Sequence, residues 1–116
     1  MTLTINQILK LTGEKEFIWQ PLKSWSVPLS EDFHFVQDGN FDLSNSFFAQ
    51  YQEKTYLMPG YVVFIPDRDS FVIQYSLEEF SDQKLTPIES SQRKLFELKA
   101  LIEYLDSTTP QDFFTW

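Results

Sequence analysis

Tyr61-Val62-Val63-Phe64-Ile65 leads through Pro66-Asp67-Arg68-Asp69-Ser70 into Phe71-Val72-Ile73-Gln74-Tyr75-Ser76-Leu77, and this stretch decides the fold. Two β-rich apolar runs on either side of a polar turn spell a hairpin. The first run is apolar at every position, which predicts a central strand buried on both faces. The second alternates, with Phe71, Ile73, Tyr75 and Leu77 on one side and Gln74 and Ser76 on the other. On this pattern Phe64 belongs to the core, and residues 61–65 occupy the middle of a sheet.

Toward the C-terminus, residues 78–85 spell an acidic connector. Thr86-Pro87-Ile88-Glu89 then has the form of a capping box with proline at the first helical position. It predicts a helix over 87–106, with Ile88, Ser91, Leu95, Leu98, Ile102 and Leu105 along its inner stripe. Toward the N-terminus, Pro59-Gly60 spells a turn. Residues 44–54 fit either a strand or a helical face, and strand is the expectation. Residues 33–37 predict a strand and Asp38-Gly39-Asn40 a tight turn into Phe41. Phe17-Ile18-Trp19 suggests a short strand, and Trp19 and Trp25 suit the caps of a core. Thr4-Ile5-Asn6-Gln7 is a second capping box, opening a short helix over 5–12 that Gly13 stops. The expected architecture is a single α+β domain over 1–116. It has an antiparallel sheet of about four to six strands, the usual size, with a short N-terminal and a longer C-terminal helix on one face.

The chain has 116 residues and no cysteine, which excludes disulfides, thiol nucleophiles and thiolate metal sites. Its formal charge of −8 leaves no basic stripe, which argues against nucleic acid and anionic membranes as partners. The same charge would attract and steer a basic protein. No signal-like leader and no apolar run near the ~20 residues of a membrane span are legible, so the expected location is the cytoplasm. With three glycines there is no material for a phosphate-cradling loop.

Three motif fragments touch on chemistry. His34 is the one histidine, without a nucleophile elbow or second metal ligand, and is expected to be a structural or surface strand residue. Asp38-Gly39-Asn40-Phe41-Asp42 matches half of a calcium loop, but Leu43 and Ala49 stand where the glycine and the bidentate glutamate belong. Pro66-Asp67 with Asp82-Gln83-Lys84 matches the letters of a metal-nuclease signature, in turns rather than on adjacent strands. No convergent catalytic set emerges, and no cofactor is implied.

In size, acidity and lack of catalytic motifs the chain resembles the small bacterial inhibitor and toxin-immunity proteins. That likeness implies a non-catalytic interaction module that masks a basic partner surface by charge and shape. The alternative is a small-ligand-binding or cofactor-free enzyme domain with an aromatic pocket, and a filled core under an exposed, acid-rimmed aromatic patch distinguishes the first from the second. The candidate acidic residues are Asp67, Asp69, Glu78 and Glu79, with Glu31 and Asp32 beside them. The candidate aromatic anchors are Phe96 and Tyr104 on the back of the C-terminal helix, and Phe113, Phe114 and Trp116 in the tail, covered by one another, by a second copy in a homodimer, or by the partner.

Overall fold

A computed structural model describes residues 2–30, 33–88 and 91–107. Helix α1 (Ile5–Gly13) begins at the expected capping box. The Thr4 hydroxyl accepts from the Gln7 N–H, and the Gln7 side chain accepts from the Thr4 N–H at 2.8 Å. Six strands follow: β1 (Gln20–Pro21), β2 (Phe41–Tyr51), β3 (Lys54–Ile65), β4 (Ser70–Tyr75), β5 (Glu78–Ser81) and β6 (Lys84–Pro87). Helix α2 (Gln92–Ser107) closes the described chain. The sheet is antiparallel, in the order β1-β2-β3-β5-β6, with β4 also paired to β3.

Strand β3 is the axis of this sheet, and it runs straight through Pro59-Gly60, which is not a turn. One flank of β3 carries β4 and β5 in a single register: Gly60 opposes Tyr75 and Leu57 opposes Glu78. The two strands are therefore one long return arm, and the Ser76 N–H still donates to the Pro59 carbonyl at 3.1 Å in the gap between them. On the other flank the register with β2 shifts between Asp42 and Phe47. Proline has no N–H to give a ladder, and a bulge is where a central strand tolerates it. The extra residues of β2 sit opposite Pro59, so few ladder bonds are lost there.

A polar knot around Asp42 holds that bulge. Its carboxylate accepts from the Ser44 N–H and hydroxyl and from the Asn45 amide, and its carbonyl accepts from the Ser46 hydroxyl. The Ser46 Oγ in turn accepts from the Gly60 N–H at 2.9 Å. The Ser44 and Asn45 bonds favour the charged carboxylate and hold Asp42 below the ordinary carboxyl range. Asp42 therefore contributes stability above that range and loses the contribution as pH falls through its lowered value.

The tight turns are elsewhere. Gln52-Glu53 joins β2 to β3 and Asp82-Gln83 joins β5 to β6, each a two-residue connection with both φ positive. Such a connection matches strand twist even when no glycine supplies it. Residues 33–37, expected to be a strand, instead hold a 3-10 turn over His34–Gln37. Phe17-Ile18-Trp19 precedes the short β1 rather than forming it. The expected acidic connector is the β5–β6 hairpin. Thr86 and Pro87 belong to β6, so α2 starts at Gln92 instead of Pro87.

Both faces of the sheet are covered. On one side lie α1 and α2, where Ile5, Ile8, Leu95, Leu98 and Ile102 pack on Ala49, Tyr56, Met58, Tyr75 and Leu77. The inner stripe of α2 is as the spacing predicts at Leu95, Leu98 and Ile102, whereas Ser91 is exposed. On the other side an irregular aromatic layer covers Phe48 and Leu57 with Leu22, Trp25, Phe33 and Phe35. Tyr56 lies in the first core, and burial first, then the charge of Glu79 and the neighbouring Tyr51, pushes its phenol up to about 12. The folded state thus favours the protonated phenol. Its contribution is complete below the ordinary value of 10.0 and is lost as pH rises from there to about 12. A denaturant titration across that window should give a falling stability that Tyr56→Phe flattens; equal slopes in both proteins would assign the loss to other groups.

Candidate interaction surface

Beyond residue 61 the β3–β4 hairpin leaves the covered part of the sheet. Val62 pairs with Ile73, Val63 with Val72, and Phe64 with Phe71. Side chains alternate along each strand, so Val62, Phe64, Phe71 and Ile73 share the helix side with Tyr75, and Val63, Ile65 and Val72 take the other. The ribbon is apolar on both faces, yet Phe64 and Phe71 are 46% and 67% exposed, their rings 5.1 Å apart. This corrects the expectation of a run buried on both faces. The sequence pattern is that of a central strand, but neither helix reaches the last turns of the hairpin.

The edges of this arm are open as well. Among the described residues β4 pairs only with β3, and β2 accompanies β3 no further than Tyr61, save for the Val62 N–H bonded to the Asn40 carbonyl. At its base the outer edge of β4 is sealed by Gln92 of α2. Its amide accepts from the Tyr75 N–H at 3.1 Å and donates to the Tyr75 carbonyl at 2.7 Å. By the two-residue period the same backbone groups of Ile73 and Phe71 face outward past that seal. Unpaired strand edges of this kind are ready to accept another chain.

Acid surrounds the arm. Asp67 and Asp69 lie in its exposed tip, with Asp69 in the left-handed region at φ 47, and Arg68 stands between them. Asp38 and Asp42 lie near its base on the β2 side. Phe96 of α2 sits at the inner end of the aromatic strip. Its ring meets Tyr75 edge-on at 6.2 Å and remains 46% exposed, so it faces the flank of α2 toward β4 and not the back of the helix. Lys99, one turn on, lies over the rings of Phe47 and Tyr75. Burial lowers its pKa, but its bonds to Glu103 and Tyr75 outweigh that and leave it raised, so it stays a cation. Tyr104 is exposed further along α2.

The remaining expected site residues are placed differently. Glu78 and Glu79 were expected in a solvated rim but are buried, at 2% and 5%, because β5 is an inner strand. They point to opposite faces. Glu78 accepts from His34 Nε2 at 2.6 Å under the aromatic layer, and Glu79 pairs with Lys54 at 3.2 Å on the helix side. The second oxygen of each is enclosed without a hydrogen-bond partner among the described residues. Closed off from solvent, neither carboxylate is placed to meet a substrate, and His34 covers Glu78 much as a lid covers a buried charge. Glu31, Asp32, Phe113, Phe114 and Trp116 lie outside the described residues.

The motif fragments separate in space. Asp67 is past one end of β3, and Asp82 turns beside the other end, on the order of 30 Å away at ~3.3 Å per strand residue. The carboxylates of the half calcium loop are taken locally, Asp38 by the Asn40 N–H and Asp42 by its knot. Among the described residues no three acidic or histidine side chains cluster to hold a metal, and no helix is long and apolar enough to cross a membrane. The chain matches no protein-family model, and no curated protein and no solved structure matches it.

Proposed function

We propose that this chain is a non-catalytic interaction module that inserts its β3–β4 arm into an apolar cleft with a basic rim on a partner protein, in the manner of an inhibitor or immunity protein. The observation that carries the proposal is the opposed pair Phe64–Phe71, large aromatics left in water on a ribbon apolar on both faces. Aromatic anchors of this kind dominate binding energy once a pocket desolvates them. The partner is basic because Asp67, Asp69, Asp38 and Asp42 flank the arm against the single Arg68, on a chain of net charge −8. We place its action in the cytoplasm. A ligand-binding domain is less well supported: clefts of about 550 and 600 Å³ among the described residues are half open, and both cores are filled.

The test is binding of a captured basic partner to wild type and to Phe64→Ser with Phe71→Ser. Two lost anchors should weaken the complex at least ~30-fold, the loss of one hot spot. The association rate, but much less the dissociation rate, should fall as salt rises. Both substitutions are at exposed positions, so the circular dichroism spectrum should not change. A partner held equally well by the double variant overturns the proposal, as does an arm buried instead against a second copy in solution.

A further inference from the structure

Among the described residues the sheet ends in edges at β1, at β6 and along the arm, and these edges are built differently. β1 is two residues long and includes Pro21. β6 is four residues long, begins at the charged Lys84 and ends at Pro87. Short length, lysine and proline are what keep an edge from pairing with another chain. β4 has none of these guards. Ser70-Phe71-Val72-Ile73-Gln74-Tyr75 carries no charge, no proline and no glycine, and Phe71, Val72, Ile73 and Tyr75 are residues that favour strands.

The open edge of β4 also has a defined length. At Tyr75 the Gln92 amide makes the two bonds that a residue of an antiparallel neighbour makes, one with the N–H and one with the carbonyl. That stand-in ends the edge on the side of α2. At the other end the chain turns at Asp69, with φ 47. Between the two stops lie Ser70 to Gln74, and the outward N–H and carbonyl groups there belong to Phe71 and Ile73.

We infer, resting on the function proposed above, that the partner's cleft supplies an extended segment that adds to β4 as an antiparallel strand, apolar opposite Phe71 and Ile73 and basic at its C-terminal end. Residues directly opposite one another share a face. The two apolar side chains therefore join Phe71 and Ile73 on the helix side, the one opposite Ile73 lying toward Phe96. Residues opposite Ser70, Val72 and Gln74 turn to the other face. An antiparallel segment runs from the Gln92 stop toward the tip, so its C-terminal end meets Asp67 and Asp69, where lysine or arginine is attracted. The two stops also hold the register, because a slip of one residue would carry the apolar side chains to the wrong face. Backbone bonds then supply affinity, and the alternating side chains supply selectivity.

The probe is a capped peptide with the sequence Thr-Val-Thr-Val-Thr followed by two lysines, added to the full-length protein while amide exchange is followed by NMR. The Phe71 and Ile73 amides should exchange fast in the free protein. They should slow about tenfold when the peptide stands at ~10 times its Kd, as the free fraction falls. The Val72 and Gln74 amides, which face β3, should hardly change. N-methylation of the two valines, whose N–H groups point at β4, should abolish the slowing, and N-methylation of the threonines should preserve it. Moving the lysines to the N-terminal end should weaken binding. No slowing at Phe71 and Ile73, slowing at Phe64 on the other edge of the arm, or equal loss from both methylation patterns would each overturn the inference. So would slow exchange before peptide is added: where dilution removes it, a second copy holds the edge, and where dilution does not, the chain itself does. If exchange stays fast with peptide while Phe64→Ser with Phe71→Ser still loses the captured partner, the arm docks through side chains alone, and the strand inference falls while the proposed function stands.

Discussion

Gly60→Ala should cost about 3 kcal/mol, the upper part of the range for overpacking, although no unusual backbone angle requires glycine there. None of the glycines has positive φ. The constraint is space: a Cβ at residue 60 would lie 2.4 Å from the Asn45 carbonyl oxygen and 3.2 Å from the Asn45 Cβ. Relief requires moving backbone, and that backbone is tied by the hydrogen bonds of Asp42 and by the Ser46 hydroxyl that accepts from Gly60 itself. A domain of this kind has ~5–15 kcal/mol in total, so one methyl would remove a sizeable share. Gly39→Ala is the control: nothing lies within 4 Å of its added Cβ, and a change within about 0.5 kcal/mol is expected. Urea unfolding of the two variants separates the cases. Loosening the knot with Asp42→Ala should reduce the penalty of the Gly60 change, since the strand could then yield. A Gly60→Ala loss under about 1 kcal/mol in the wild-type background would mean that the bulge is already compliant.

The same residues explain why the centre of the sheet was partly hidden in the sequence. Pro59-Gly60 carries the strongest turn signal in the chain after Asp38-Gly39-Asn40, yet it marks a bulge within one strand of 12 residues. A proline that cannot donate and a glycine that admits a neighbouring carbonyl are what a bulge needs, and local statistics do not separate that need from a turn. Conversely, Gln52-Glu53 and Asp82-Gln83 turn the chain with positive φ but carry no glycine. Cross-strand pairing imposes that backbone on them, and pairing is non-local. The elements legible from sequence were those with local causes: the Thr4–Gln7 capping box, the apolar stripe Leu95-Leu98-Ile102, and the α+β class with both helices on one face.

The candidate surface was legible in the opposite sense to its meaning. Uninterrupted apolar character over residues 61–65 argues for burial, and the argument fails because, among the described residues, neither helix lies over the end of the hairpin. That excess, apolar on both faces where the described residues leave it exposed, is the signal that could have singled out Phe64 and Phe71 as the anchors proposed above. Asp67 and Asp69 were placed correctly, since a polar turn between two strands has no route inward. Glu78 and Glu79 were not. An acidic pair reads as solvated unless its partners are seen, and His34 and Lys54 lie 44 and 25 positions away along the chain (78 less 34, 79 less 54).

Phe17→Ala should cost roughly 3–5 kcal/mol, the loss for a buried phenylalanine whose site cannot collapse, while Phe64→Ala should cost under ~1 kcal/mol. The contrast reverses the ranking that hydropathy alone suggests, because Phe64 sits in the most apolar run of the chain and Phe17 between a glutamate and an isoleucine. Phe17 is 1% exposed, and its ring lies 4.8 Å from Tyr51, 5.1 Å from Tyr56 and 5.9 Å from Trp19. It joins the loop after α1 to the two strands at the centre of the sheet, and the rigid rings around it cannot close a cavity by simple rotamer changes. Among the described residues Phe64 has one ring neighbour, Phe71, which is itself in water. Removing Phe64 therefore exposes little that was covered and leaves no void. Chemical denaturation of both variants gives the comparison directly, and equal losses would mean that the arm is packed in solution against something that covers Phe64. In that event repeating the measurement over a range of protein concentrations identifies the cover: a loss that grows with concentration is a second copy, and one that does not is the chain itself.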